Sequence, residues 1–121
     1  MAERILVVDD AASMVSLVEM TLTNEGYEVV TAGNGAEALG KLNGTAFDLI
    51  LTDLNMPTMN GVELIKAIKS KPEHSFTPIV MLTTESSADK KEAGRAAGAK
   101  AWIVKPFKAD KLIGVVKRII G

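Results

Sequence analysis

Asp9 and Asp10 end the apolar run LVVDD, Asp53 ends DLILTD, Thr83 and Thr84 end IVMLTT, and Lys105 stands just ahead of Pro106 in IVKPF. Three carboxylates, a hydroxyl and a lysine suit one kind of chemistry if the fold gathers them. Clustered carboxylates repel one another unless a cation lies among them. Magnesium fits that place, because it takes oxygen ligands in octahedral geometry and keeps several of its waters. Zinc or copper does not, since the chain has no cysteine and a single histidine, His74. A carboxylate beside Mg2+ can also attack phosphorus to form an acyl phosphate, with the metal and a lysine neutralising charge on the transferred oxygens. The roles then divide: Asp9, Asp10 and Asp53 as metal ligands, Asp53 as nucleophile, Lys105 and Thr83 as holders of the phosphoryl group. One aspartate at a strand exit is ordinarily a helix cap or a turn former. Capping alone does not require all these groups at one edge.

What must position them is an alternation of short strands and helices. The runs Arg4 to Val8, Glu28 to Ala32, Asp48 to Thr52, Ile79 to Thr83 and Ala101 to Val104 are rich in β-branched residues and leucine, and a segment of helical character follows each. Met14, Leu17, Val18 and Leu22 form an apolar stripe on the first helix, and Leu112, Val115, Val116, Ile119 and Ile120 form one on the last. Gly26 and Gly44 mark element exits. Strands apolar along nearly their whole length are buried on both faces, which predicts an α/β fold with a parallel sheet covered by helices on two sides. In such a sheet the functional crevice lies beyond the carboxyl ends of the strands, and the polar groups above stand at four of the five exits.

The chain has 121 residues, 47% of them hydrophobic and 24% charged, enough for one core and one domain over residues 1–121. Its 14 basic and 15 acidic residues leave a net charge of −1 without a run of like charge, which argues against a nucleic-acid arm or a polybasic membrane patch. The start, MAERILVVDD, is too short and wrongly flanked for a signal peptide or a membrane span, so a cytoplasmic protein without disulfides is expected. His74, in SKPEHSFTP, reads as solvated. Met14, Met20 and Met81 read as core filler, and Met56 and Met59 as packing for the loop after Asp53. The stretch SSADKKEAGRAAGAK has helix formers but only alanine on its apolar positions. This fourth helix therefore either buries little and moves cheaply, or packs close to the sheet through its small residues.

The segments LVVDD, DLILTDLNMPTMNG, IVMLTT and IVKPF, in that order, resemble the signature set of the receiver domains of two-component response regulators, and the resemblance covers the whole chain. With its end directly after the last helix, the chain is most similar to single-domain regulators such as those of chemotaxis, without an output domain. The resemblance implies a flavodoxin-like, doubly wound sheet of strand order 2-1-3-4-5. It implies that Asp53 accepts a phosphoryl group from a sensor histidine kinase, and that Asp9, Asp10, Asp53 and the backbone carbonyl of Asn55 hold Mg2+. It further implies that Lys105 pairs with the phosphoryl oxygens and that its peptide bond to Pro106 is cis, while Asn55 and Glu85 tune hydrolysis. Thr83 and Trp102 would be a switch pair relaying phosphorylation to the face of the fourth helix, fifth strand and fifth helix. A downstream protein, such as a flagellar motor switch, would dock there, and a phosphatase could be a further partner. Such a chain is a phosphoacceptor rather than an enzyme. Two departures stand out: Trp102 replaces the usual tyrosine or phenylalanine, and Asn60 replaces a common aspartate before Gly61.

Two rival readings are a phosphatase and, with the same fold, a flavin-binding module. A phosphatase of the haloacid dehalogenase type also uses an aspartate nucleophile at a strand end, but it wants D-x-D where this chain has DDAAS and DLN. A flavin-binding module would need a hydroxyl-rich phosphate loop after the first strand, where Asp9 and Asp10 would repel phosphate.

Overall fold

A computed structural model describes residues 2–120. The five parallel strands are β1 (Arg4–Val8), β2 (Glu28–Ala32), β3 (Leu49–Thr52), β4 (Ile79–Thr83) and β5 (Ala99–Val104), in the order β2-β1-β3-β4-β5. The helices are α1 (Ala12–Thr23), α2 (Gly35–Lys41), α3 (Gly61–Lys69), α4 (Ala88–Ala97) and α5 (Ala109–Ile120), with a 3-10 turn at Pro72–His74. This is the architecture expected from the alternation and the resemblance. β5 starts two residues earlier than its apolar run, because Ala99 pairs with Ile79 before an irregularity in the β4 ladder.

Side chains alternate across the sheet, so each central strand feeds two cores. Leu6, Val8, Ile50, Ile79 and Met81 meet Ala38 and Leu42 from the α2 side and Leu64, Ile65 and Ile68 of α3. On the other face Ile5, Val7, Leu49, Leu51, Val80, Leu82 and Ile103 meet Val18 and Leu22 of α1 and Leu112, Val115 and Val116 of α5. Glycine exits at Gly26 and Gly44 have φ of 93° and 74°, values that a side chain disfavours. α3 starts with a capping box in which Asn60 and Glu63 satisfy each other's backbone N–H groups.

Several side chains sit elsewhere than the sequence pattern indicates. His74 is buried, with 3% of its surface exposed, and its Nε2 lies 3.3 Å from the Leu42 carbonyl; its Nδ1 has no hydrogen-bond partner among the described residues. The polar segment around it conceals a long-range contact with the end of α2. Leu17 and Met20 are exposed, because the buried line of α1 runs through Val18 and Leu22 at a spacing of four, and these two fall off it. Met81 is core and Met14 is partly buried, as expected of filler, and Met56 is buried in the α2–α3 core. Phe76 stands 94% exposed between Ser75 and Thr77, whose carbonyls both accept hydrogen bonds from Lys69 Nζ, at 3.2 and 2.6 Å. Burial, and then the charge of Lys100, holds the Lys69 ammonium below the ordinary lysine range. Among the described residues no helix is long and apolar enough to cross a membrane.

Candidate functional site

The carboxyl edge of the sheet is stitched by its own backbone. Asp9 N–H donates to the Ala32 carbonyl at 3.1 Å, Asp53 N–H to Val8 at 3.0 Å, and Lys105 N–H to Thr83 at 2.8 Å. Each of these residues is the first beyond its strand, so pairing that starts in the ladders runs one residue further and aligns the exits side by side. Gly61 tightens the turn after β3, with its N–H donating to the Leu54 carbonyl at 2.8 Å. A Cβ at Gly61 would run into the Asp53 carbonyl and sit 2.9 Å from Leu54 Cα, so only glycine lets α3 begin so close to Asp53.

Carboxylate oxygens of Asp9, Asp10 and Asp53 lie within 4.8 Å of one another. Asp9 and Asp53 are buried, and Asp10 is exposed. None of the acids caps α1: its N-cap is Ala11, without a side-chain hydrogen bond. Asp9 Oδ1 instead accepts from Ala11 N–H at 3.0 Å, and Asp53 Oδ1 from Leu54 N–H at 2.7 Å, leaving the second oxygen of each directed elsewhere. Lys105 Nζ takes up those two, at 2.6 Å from Asp9 Oδ2 and 3.5 Å from Asp53 Oδ2, as a half-buried lysine among three acids. Three converging carboxylates with one cation leave net negative charge and hard oxygen donors, which fits a divalent ion such as Mg2+.

The other predicted residues lie at or near the ends of the same strands. Asn55 is exposed in the loop two residues past Asp53. Thr83 is fully buried at the end of β4, and the Lys105–Pro106 bond is cis. Trp102 faces the side opposite Ile103, packed with Met81 and against Gly94 of α4. Its indole Nε1 donates to the Glu85 carbonyl at 2.8 Å, while Glu85 N–H donates to Thr83 Oγ1 at 3.3 Å. The two peptide groups of Glu85 thus link Thr83 to Trp102. Sequence reasoning pairs Thr83 with Trp102 but does not find this link, which depends on how the loop between β4 and α4 folds back. Nor does it find the hold of Lys105 on Asp9.

Residues 5–117 match the family model described as a response regulator receiver domain. The transcriptional regulatory protein PrrA of Mycobacterium leprae is 38% identical over 117 residues, which are 97% of this chain and 49% of that protein. The chain spans about half the length of the curated relatives it matches. Among solved structures, the chemotaxis protein CheY4 of Vibrio cholerae is 45% identical with a TM-score of 0.95, covering 98% of this chain and 99% of that one. The receiver domain of the sensor histidine kinase PA1611 of Pseudomonas aeruginosa, described with a magnesium ion coordinated in its active site cleft, is 27% identical with a TM-score of 0.92, covering 100% and 99%.

Proposed function

The chain belongs to the response regulator receiver domains of two-component systems, and from that premise we propose that it is a phosphorylation-driven signalling switch with Asp53 as acceptor. The observation that supports this most strongly is the convergence of Asp9, Asp10 and Asp53 within 4.8 Å, with Lys105 reaching into the cluster. Asp9, Asp10 and Asp53, with the Asn55 carbonyl, would hold Mg2+, and the ion would supply positive charge to the transferred oxygens. Asp53 Oδ2, 3.5 Å from Lys105 Nζ, attacks phosphorus, the bond to the donor breaks, and an acyl phosphate forms. Lys105 then turns from Asp9 towards the new phosphoryl oxygens. Thr83 Oγ1 does likewise, releasing the N–H of Glu85, and the peptide that holds the Trp102 indole is freed to rearrange. The signal emerges on the face of α4, β5 and α5. Asn55, two residues past the acceptor, and Glu85, two residues past Thr83, set how long the phosphoryl group survives.

The donor is a sensor histidine kinase, the receiver of this readout is a downstream protein, and a phosphatase can reset the switch, all in the cytoplasm. A chemotaxis role is favoured by the near-complete overlap with CheY4, and a flagellar motor switch is the corresponding target. The balanced charge tells against nucleic acid for these 121 residues alone, since a transcriptional regulatory protein of about twice the length is among the relatives. The test is incubation with acetyl phosphate and Mg2+. One phosphoryl group that hydroxylamine removes should appear on the wild type and none on Asp53→Asn; label on Asp53→Asn at the wild-type rate would overturn the assignment.

A further inference from the structure

The loop between β3 and α3 has to be held still, because it supplies Asp53 at one end and Asn55 within it. Its own bonds do part of this. Gly61 N–H closes onto Leu54, and Met59 N–H donates to the Pro57 carbonyl at 2.8 Å, around Thr58 at a φ of 72°. A threonine in the left-handed region is strained, so something outside the loop keeps it there. Leu54 and Met56 point into the core below, and Met59 reaches sideways to another element. It lies on the first turn of α2, where a Cβ added to Gly35 would be 2.7 Å from Met59 Sδ and 3.1 Å from both Met59 Cβ and Cγ.

Gly35 needs no glycine for its own backbone, which is not in the left-handed region, and at the first position of a helix glycine is a poor helix former. The close approach of Met59 is what demands it. The seat itself is rigid. Asn34 Oδ1 accepts from Glu37 N–H at 2.8 Å, Glu37 Oε1 accepts from Gly33 N–H at 2.9 Å, and three residues before Gly35 the Ala32 carbonyl holds the backbone of Asp9. The start of α2 is thus bonded to the strand exit that bears the first two acids.

We propose that Gly35 and Met59 form a positioning pair: the thioether seated on a bare helix turn fixes the Asp53–Asn55 loop relative to Asp9 and Asp10, and so sets the geometry of the metal and phosphoryl site. This rests on the function proposed above. Turning the end of the methionine relieves the contacts to Sδ and Cγ, but Cβ moves only with the loop backbone. An alanine at position 35 therefore shifts the loop as well as ejecting the thioether.

The experiment measures Mg2+ binding by calorimetry, phosphoryl uptake from acetyl phosphate and thermal unfolding for the wild type, Gly35→Ala, Met59→Ala, the double variant and Gly40→Ala. Gly40 lies in the same helix, with nothing within 4 Å of an added Cβ. Gly35→Ala should weaken Mg2+ binding and slow uptake by about tenfold, the scale expected of sub-ångström misplacement, while Gly40→Ala matches the wild type. Gly35→Ala should cost less on the Met59→Ala background than on the wild type, because Met59→Ala removes the contacts to Sδ and Cγ and leaves only the 3.1 Å one to Cβ. Wild-type Mg2+ affinity in folded Gly35→Ala, or penalties that simply add in the double variant, would overturn the pair. A wild type that neither binds Mg2+ nor takes up phosphoryl would instead overturn the proposed function beneath it.

Discussion

Lys105 shows what a single side chain decides at this site. Its ammonium is the cation that two buried acids share, at 2.6 Å from Asp9 and 3.5 Å from Asp53. Removing it leaves carboxylates facing one another in a poorly solvated place, and breaking one side of a buried ion pair costs about 3 kcal/mol. Lys105→Ala should lose about that much stability in urea unfolding with a chelator present, and regain most of it in saturating Mg2+, which replaces the lost charge. Its Mg2+ affinity should be no weaker than that of the wild type, since Asp9 no longer has a competing partner. Equal stability of variant and wild type in chelator would refute this role. The residues of this cluster are legible in the sequence because each follows an apolar run, and a parallel sheet brings all such exits to one edge. Which acid the lysine meets is not legible, because reach and register are set only when β5 is in place. His74 escapes for a similar reason: nothing in SKPEHSFTP points to the Leu42 carbonyl, distant in sequence, that it meets.

At the scale of elements, α4 is the exceptional helix. Gly94 is its buried residue, whereas α5 buries Leu112, Val115 and Val116. The alanine-rich sequence foretells this shallow packing but not its purpose, which is to leave room for an indole. A Cβ at position 94 would be 2.7 Å from Trp102 Cζ3 and 3.3 Å from Cε3, in the rigid ring rather than at a flexible tip. Gly94→Ala should therefore push the ring outward, break its hydrogen bond to Glu85 and cost about 1–3 kcal/mol, the usual penalty of overpacking, against which the better helix propensity of alanine is small. Trp102 is the only tryptophan, so its emission reports the change directly: a shift to longer wavelength in the variant. An unchanged spectrum would mean that the helix yields instead. The three central strands, by contrast, are legible almost to the residue, because a run buried on both faces admits little besides apolar side chains, whereas β2 and β5 at the edges are only partly buried.

Across the whole molecule, the chemistry occupies one end of the sheet and the chain's most exposed aromatic residue lies in the loop leading into β4, at the other. Phe76 offers digestive proteases of chymotrypsin specificity an ideal side chain, yet cleavage requires the surrounding backbone to be drawn out into an extended strand within the protease cleft. Lys69 opposes that by gripping the carbonyls on either side, so the native chain should resist cutting at a residue that is 94% exposed. Lys69→Met keeps much of the aliphatic stem and drops the grip; it should be nicked after Phe76 at least several times faster, at a protease concentration where the wild type stays whole, and equal rates would show that the lysine restrains nothing. The nick would part β1, β2 and β3 from β4 and β5 in the chain while leaving them hydrogen-bonded in one sheet. The clamped loop thus marks a place where the molecule could be opened covalently without first being unfolded, and where its two unequal pieces could be asked to find each other again.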